Sequence, residues 1–348
     1  NRIINFLKYS WRFAMKGNRL YGIDLIKLLA CCGVVILHVT TLAFEITQPM
    51  NWSAYLYYLG TFSIPLFFLI NGFFLLNRKE LPYSYIFKKI AGILIIVICW
   101  SVMYWLVSFN FHDNILRKIA GSLLQKGYFY QFWFFGSLLI IYLTLPYLKK
   151  LLQNIKVHIA VMIFLLVIGS TIQLLNFILP TVPIQKFIPQ TLRLWTWYSY
   201  YILGGLIGRS EVVHFLTKFQ NKKIKLLTFS LVFLSPFVFF GICQHIFELK
   251  YAEYFYDSIF VKLLTVLIFI SIYNIKVSTL LQKWIPFLST GIMGIFIVHT
   301  HVIRLLLKFI DLSNPLANTI GIILVFSLSF MVVFILSKIP VVKKLTEI

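Results

Sequence analysis

The chain has 348 residues, of which 60% are hydrophobic and only 12% are charged. Soluble domains are about 45–50% apolar and about 25% charged, so the composition excludes an ordinary soluble protein and indicates an integral membrane protein. The sequence holds 32 Lys and Arg residues against 10 Asp and Glu residues. These basic residues lie in short connections between apolar runs rather than in one soluble patch, so we expect the bilayer, and not nucleic acid, as their partner.

Ten apolar runs follow one another along the chain, each close to the roughly 20 residues that a membrane-spanning helix needs. They cover residues 21–44, 54–76, 86–109, 130–148, 157–179, 192–208, 224–243, 257–275, 288–309 and 316–337. The sequence therefore predicts an all-α, polytopic membrane bundle of about ten transmembrane helices. We expect one domain over residues 1–348, with no soluble domain appended.

The basic residues are divided unequally between the two sides of such a bundle. With the N-terminus inside, 22 of them fall in inner segments and 8 in outer segments. Because Lys and Arg concentrate in cytoplasmic loops, we predict that both termini are cytoplasmic. Residues 1–20 form a basic, amphipathic segment, which we expect to lie along the inner leaflet.

The first apolar run carries its polar residues on one face. Lys27 and His38 are eleven positions apart, which on a helix gives about 20° of azimuth and about 16 Å along the axis. Asp24 and Glu45 fall on the same arc. Ionisable residues in a membrane span usually face protein or a water-filled cavity. This pattern predicts a polar passage; the alternative is that Lys27 reaches the headgroups and His38 only packs.

The connection after the second run contains Arg78, Lys79, Lys88 and Lys89. Clustered cations of this kind suit phosphate groups, and they equally suit anionic lipids. The sequence alone leaves both interpretations open.

Two further residues are candidates in later runs. Trp133 opens the fourth run at the outer boundary, where it predicts either a stacking wall for a sugar or acyl chain or an ordinary aromatic belt. His299 lies mid-way along the ninth run, as a base or ligand or as a packing residue. The chain has no metal-ligand spacing such as CxxC or HExxH, and we predict no metal site.

Several segments, in this order, resemble the acyltransferase-3 family of integral-membrane acyltransferases. The similar features are the Arg19…Asp24…Lys27 start, the Lys27 to His38 spacing, FFLINGFFLL (67–76), FWFFGSLLIIYLTLPYL (132–148), YYILGGLIG (200–208) and GIFIVHTHVI (294–303). The FFLINGFFLL segment is also similar to the membrane domains of some membrane-bound serine racemases of resistant Gram-positive bacteria.

The resemblance implies a membrane-bound O-acyltransferase in a bacterial cytoplasmic membrane. Such an enzyme moves an acyl group, commonly acetyl from cytoplasmic acetyl-CoA, to a hydroxyl outside. The implied acceptor is a surface polysaccharide, peptidoglycan or a lipid-linked sugar, with acetyl-CoA as co-substrate and no bound cofactor. Homo-oligomerisation is left open.

The resemblance also implies roles for individual residues. His38 is the essential histidine, Lys27 is its paired basic residue, and Lys88 and Lys89 stand near the place of two family arginines. On this basis we predict His38 and Asp24 as catalytic residues, with Asp24 pairing with Lys27 or orienting a neighbour. We also predict acyl-CoA binding by Arg19, Lys27, Lys88 and Lys89, and acceptor binding by Glu45, Trp133 and His299. The sequence departs from the family where two arginines three apart are common, and where a histidine often precedes the fourth-run motif; Gln131 is the nearest polar residue there.

Two other function classes fit the same features. A transporter of a small polar solute or an amino acid also buries charges along a polar passage. A scaffold subunit of a polysaccharide-synthesis complex would tolerate the loss of Lys27 and His38.

Overall fold

A computed structural model describes residues 19–179, 182–250 and 252–346, and within them the chain is helical, with no β-strand. The predicted amphipathic segment at residues 1–20 lies almost wholly outside the described residues. The helices are α1 (Tyr21–Thr40), α2 (Trp52–Leu59), α3 (Ser63–Leu76), α4 (Tyr83–Val107), α5 (Ile115–Leu123), α6 (Trp133–Leu151), α7 (Ile155–Ile178), α8 (Leu194–Ile207), α9 (Ser210–Thr217), α10 (Lys222–Ile242), α11 (Ile259–Tyr273), α12 (Thr279–Thr290), α13 (Ile292–Leu306), α14 (Pro315–Leu336) and α15 (Pro340–Lys343).

Many of these helices begin at a side chain that accepts a hydrogen bond from a main-chain N–H of the first turn. Such caps satisfy N–H groups that have no partner inside the helix, which matters most where water is scarce. The capping residues are Asn51, Asn114, Asn154, Asn221, Ser258, Ser278 and Asn314.

Seven helical runs among the described residues are long and apolar enough to cross a bilayer. One of them joins α2 to α3, and a further candidate is the pair α12 and α13, which is bent by 60° near Gly291. The predicted runs 192–208 and 257–275 form the shorter helices α8 and α11, of 14 and 15 residues. The prediction of an all-α multi-pass bundle is confirmed, whereas the count of ten spans stays a prediction.

The helix α1 lies at the centre of the bundle. Of its span, 61% is buried, whereas the figure is 17% for α7 and 22% for α14, which present apolar faces outward. It packs against six other helices, namely α2, α3, α11, α12, α13 and α14. On the polar face predicted from the sequence, Asp24, Lys27 and His38 are each partly buried.

The helices α3 and α8 cross at very short range, and glycines make this approach feasible. A Cβ on Gly72 would collide with the main-chain carbonyl of Tyr201, and a Cβ on Gly204 would collide with that of Leu69. Small residues at such crossings let membrane helices pack closely. The FFLINGFFLL and YYILGGLIG segments thus pack against each other.

A buried polar cluster, which we call the Asp257 cluster, joins the ends of α7, α8 and α11. The two carboxylate oxygens of Asp257 accept hydrogen bonds from Thr196 Oγ1 at 2.5 Å and Gln185 Nε2 at 2.9 Å. Lys262 Nζ donates to the main-chain carbonyl of Asp257 at 2.7 Å, and Asn176 Nδ2 donates to Gln185 Oε1 at 2.7 Å. Asp257 and Lys262 are both almost fully buried.

Candidate active site

The N-terminal end of α1 carries a group of opposite charges. Arg19 Nε lies 2.6 Å from Asp24 Oδ2, and Lys27 Nζ lies 3.7 Å from Asp24 Oδ1. Arg19 Nη2 also donates to Ser289 Oγ on α12 at 3.2 Å. One carboxylate thus lies between two cations, so this end of the helix keeps a net positive charge. The side chains of Asp24 and Lys27 are only 13% and 14% exposed, which reduces the screening of their charges.

More cations lie beside this end of α1. The Arg78 guanidinium and Lys89 Nζ lie 3.9 Å and 5.9 Å from the ring centre of Tyr85. Lys89 is also close enough to Lys27 for the two charges to interact. Lys88 lies on the exposed side of α4, so the structure separates the predicted pair Lys88 and Lys89. A shallow cleft beside Lys89 is lined by Leu75, Tyr85, Ile86, Lys89, Tyr142 and Leu145.

His38 lies near the other end of α1, about 16 Å along the helix axis from Lys27. Its Nδ1 is 3.1 Å from the phenol oxygen of Tyr130, and its ring is only partly buried. A neutral imidazole has one donor nitrogen and one acceptor nitrogen, and a phenol can serve either. The contact with Tyr130 therefore orients the ring and leaves Nε2 for another partner.

His299 on α13 packs directly against His38. The ring centroids are 5.1 Å apart, and His299 is fully buried. His299 Nδ1 lies 3.1 Å from the main-chain carbonyl oxygen of Ile295. Because a carbonyl can only accept, Nδ1 carries the hydrogen, and Nε2 of the neutral ring is an acceptor.

His299 Nε2 has no hydrogen-bond partner among the described residues. A buried polar atom without a partner costs about 1–3 kcal/mol. A hydroxyl or amide donor brought in by a ligand would remove this cost. Several other buried polar atoms among the described residues share this property, and it is the contact with His38 that marks His299 as a candidate functional residue.

Gln131 connects the beginning of α6 to α13. Its Nε2 donates to the main-chain carbonyl of Ile297 at 2.9 Å and to Thr300 Oγ1 at 3.0 Å. Gln131 is the polar residue nearest to the position where the family often has a histidine, and it directly follows Tyr130 in the sequence. Its two hydrogen bonds therefore hold Tyr130 in position beside His38.

The segment before α6 is held by contacts of Tyr128 with Asp113 and of Phe129 with His301. Tyr128 donates to Asp113 Oδ2 at 2.7 Å, and this hydrogen bond lowers the pKa of the Asp113 carboxyl, with Lys118 at 3.3 Å adding to the effect. Burial, followed by the hydrogen bond to Asp113, raises the pKa of Tyr128 to about 12. The next residue, Phe129, packs on the His301 ring at 4.5 Å.

Three predicted site residues lie in other surroundings. Asp24 precedes His38 by 14 residues on the same helix, which places it about 21 Å away along the axis. Glu45 lies in the exposed segment after α1 and pairs with Lys250 Nζ at 3.0 Å. Trp133 is buried, and its ring packs against Trp197 at 5.0 Å. The roles predicted for these residues remain predictions, and Asp24 is too far away to react together with His38.

Within the part of the chain that the structure describes, no group of three or more His, Cys, Asp or Glu side chains is arranged to hold a metal ion. Two histidines, His38 and His299, contact each other. Two imidazoles and a phenol are groups that can accept and donate protons, so the arrangement suits acid–base or nucleophilic chemistry.

Comparison with known families favours one of the function classes that the sequence leaves open. The acyltransferase-3 profile, described as an acyltransferase domain, matches residues 20–338. The chain belongs to the acyltransferase-3 family. Membership and the apolar helices together support a multi-pass membrane acyltransferase.

One similar protein is an amino-acid racemase of Enterococcus faecalis. It is 29% identical over 132 residues, which cover 35% of this chain and 18% of the racemase. The chain thus matches less than a fifth of that protein's length. No solved structure gives a significant match.

The contact between Tyr130 and His38 was not evident from the sequence. The two residues are 92 positions apart, and only the packing of the chain brings them together. A signal was present in the sequence, because Tyr130 and Gln131 are polar residues directly before the aromatic FWFFG segment. Residues in that position face the interior when an aromatic helix is buried, yet the sequence does not show which helix they meet.

Proposed function

We propose that this protein transfers an acyl group, most simply acetyl, from cytoplasmic acyl-CoA to a hydroxyl of an acceptor on the far side of the membrane. The acceptor is a surface polysaccharide, peptidoglycan or a lipid-linked sugar, and the membrane is a bacterial cytoplasmic membrane. In this proposal the chain crosses the membrane ten times. The seven long helical runs and the bent pair α12 and α13 account for eight spans, and α8 and α11 are the other two. Both termini lie in the cytoplasm.

One observation carries the proposal. A single face of the central helix α1 leads from a cation-rich end, with Arg19 and Lys27, to His38 about 16 Å away. Phosphate groups bind clustered cations, and Lys89 lies beside the same end. A donor with an anionic head and a long thin arm ending in a thioester matches this arrangement. Its head would bind at Arg19, Lys27 and Lys89, and its thioester would reach His38.

In this proposal the reacting atom of His38 is Nε2, because Nδ1 contacts Tyr130. Both roles open to this histidine, as a base and as a nucleophile, need a lone pair on Nε2. That lone pair is available when Nδ1 carries the hydrogen and donates it to the Tyr130 oxygen. Asp24 then holds the two donor-binding cations, Arg19 and Lys27, rather than taking part in the bond changes.

The proposal is tested by replacing His38 with alanine. Membranes that contain the wild-type protein or His38→Ala are incubated with acetyl-CoA labelled in the acetyl group, and label is measured in the glycan fraction and as free acetate. We expect acetyl transfer to fall by about 10²–10⁴-fold, since a positioned acid–base or nucleophilic group contributes about that much. The amount of inserted protein should stay unchanged.

The matched control is His112→Ala, because His112 lies exposed in the segment between α4 and α5. This variant should transfer acetyl as the wild type does. Full activity in His38→Ala would refute the assignment. Uptake of a solute by wild-type proteoliposomes without consumption of acetyl-CoA would instead favour a transporter.

A further inference from the structure

The two nitrogens of His38 are both engaged once that residue holds an acyl group. Nδ1 contacts Tyr130 at 3.1 Å, and Nε2 is the atom that would bond to the acyl carbon. An imidazole in this state has no nitrogen left to take the proton of an incoming hydroxyl. A second proton acceptor must then lie within contact distance of the same acyl group.

His299 meets that requirement. Its ring lies 5.1 Å from that of His38, which lets one small group touch both rings. The hydrogen bond from Nδ1 to the Ile295 carbonyl fixes Nε2 as the acceptor atom, and this atom is buried without a partner among the described residues. His301 also has a buried, unpartnered Nε2, but its ring packs on Phe129 rather than on His38.

We propose that His299 is a second catalytic residue, whose Nε2 accepts the proton of the acceptor hydroxyl while His38 Nε2 carries the acyl group. This inference rests on the proposed function and divides its chemistry between two histidines. The ring that holds the acyl group and the ring that removes the proton come from different helices, α1 and α13.

The bond changes balance in two steps. In the first step, His38 Nε2 bonds to the thioester carbon, the carbon–sulfur bond breaks, and the sulfur leaves as a thiolate that takes a proton from solvent. In the second step, the acceptor oxygen bonds to the acyl carbon as the acyl–Nε2 bond breaks, and the hydroxyl proton passes to His299 Nε2. His299 then releases that proton to solvent, which restores both rings.

The test separates the two steps in the full-length protein in liposomes. Exchange of labelled CoA into acetyl-CoA reports the first step alone. Hydrolysis of acetyl-CoA, with water as the hydroxyl acceptor, reports both steps. Hydroxylamine provides a third measurement, because it attacks an acyl-imidazole without needing a base.

The variants are His299→Asn and His299→Gln. An Asn amide keeps a donor near Nδ1 for the Ile295 carbonyl, and a Gln amide places a group near Nε2 that cannot take a proton. For both we expect exchange within about threefold of wild type and hydrolysis lowered by about 10²–10⁴-fold. Hydroxylamine should restore turnover. His38→Gln should lose exchange, hydrolysis and the hydroxylamine reaction together.

His301→Gln is the matched control for the loss of a buried imidazole on α13, and it should keep hydrolysis within about twofold of wild type. Unchanged hydrolysis in both His299 variants would overturn the inference. A parallel loss of exchange in folded protein would also overturn it, since His299 would then act on the first step. If the wild type itself shows neither exchange nor hydrolysis, the proposed function is wrong. This outcome differs from a failure of the His299 inference, in which the wild type is active.

Discussion

The histidine site and the Asp257 cluster both bury polar side chains between helices of one bundle. In the Asp257 cluster, each carboxylate oxygen of Asp257 accepts a hydrogen bond, and the ammonium group of Lys262 donates to main-chain carbonyls. At the histidine site, His299 Nε2 and Gln131 Oε1 are buried without partners among the described residues. Asp257, Lys262 and His299 are similarly buried, and the two regions differ in how the hydrogen bonds of these buried groups are satisfied.

This difference indicates different roles. A buried network with its hydrogen bonds made is rigid, and removing one member leaves the rest with uncompensated groups. A buried acceptor with no partner gains a hydrogen bond when a donor arrives, so it suits ligand binding or proton transfer. We therefore expect changes in the Asp257 cluster to lower stability and changes at the histidine site to lower activity.

The largest expected effect on folding is that of Asp257→Asn. An amide has one oxygen, so it accepts from only one of the two donors, Thr196 Oγ1 and Gln185 Nε2, and Lys262 loses a nearby negative charge. A hydrogen bond to a charged group contributes about 1.5–3 kcal/mol. We expect the free energy of unfolding, measured by chemical denaturation in detergent, to fall by about this amount.

Acetyl transfer per folded molecule should be unchanged in Asp257→Asn. The double variant Asp257→Asn with Lys262→Met removes the uncompensated cation and should recover part of the lost stability, as coupled neighbours do. Loss of transfer with full stability would break the comparison, because the Asp257 cluster would then belong to the active site.

Tyr130→Phe should lower the turnover of the protein rather than its stability. It removes the phenol that orients His38, while the ring keeps its packing. A hydrogen bond to a charged or reacting group contributes about 1.5–3 kcal/mol, so we expect turnover to fall by about 10–100-fold. The free energy of unfolding should change by less than about 1 kcal/mol.

The matched control for Tyr130→Phe is Tyr200→Phe, whose hydroxyl donates to the main-chain carbonyl of Tyr256 at 2.8 Å beside the Asp257 cluster. This variant should lower stability and leave turnover intact. Equal losses of turnover in the two variants would show that any buried tyrosine hydroxyl supports the activity indirectly.

The arrangement along α1 was predictable because a helix has a fixed geometry. The spacing of Asp24, Lys27 and His38 alone predicts one polar face, and the structure encloses that helix within the bundle. The number of spans was less predictable, since α8 and α11 have apolar sequences but end after 14 and 15 residues. Apolar length in the sequence does not show where a helix stops.

Contacts between helices that are distant in the sequence could not be predicted from it. The neighbours of His38 come from α13 and from the segment before α6, and the packing of three helices decides them. The Asp257 cluster was missed because its members are single polar residues at the ends of four segments, without periodic spacing. In contrast, the split between Lys88 and Lys89 follows from a rotation of 100° per residue, but the sequence does not show which of the two faces inward.

The smallest expected effect concerns Lys88 and Lys89, two neighbouring lysines of α4 with different surroundings. Lys89 lies beside Tyr85 and lines the shallow cleft, whereas Lys88 lies exposed on the same helix. If Lys89 binds a phosphate of the donor, Lys89→Ala should raise KM for acetyl-CoA by about 5–10-fold, which corresponds to about 1–1.4 kcal/mol. Lys88→Ala should change it by less than about twofold.

The salt dependence of KM distinguishes a phosphate contact from a change of shape. Added salt weakens partly exposed charge pairs, so the wild-type KM should rise with ionic strength toward that of Lys89→Ala, and the variant's own KM should depend on salt less steeply. Equal effects of the two alanine variants would mean that the basic residues of α4 attract the donor as a diffuse field. The donor site would then be defined by the charges on α1 alone.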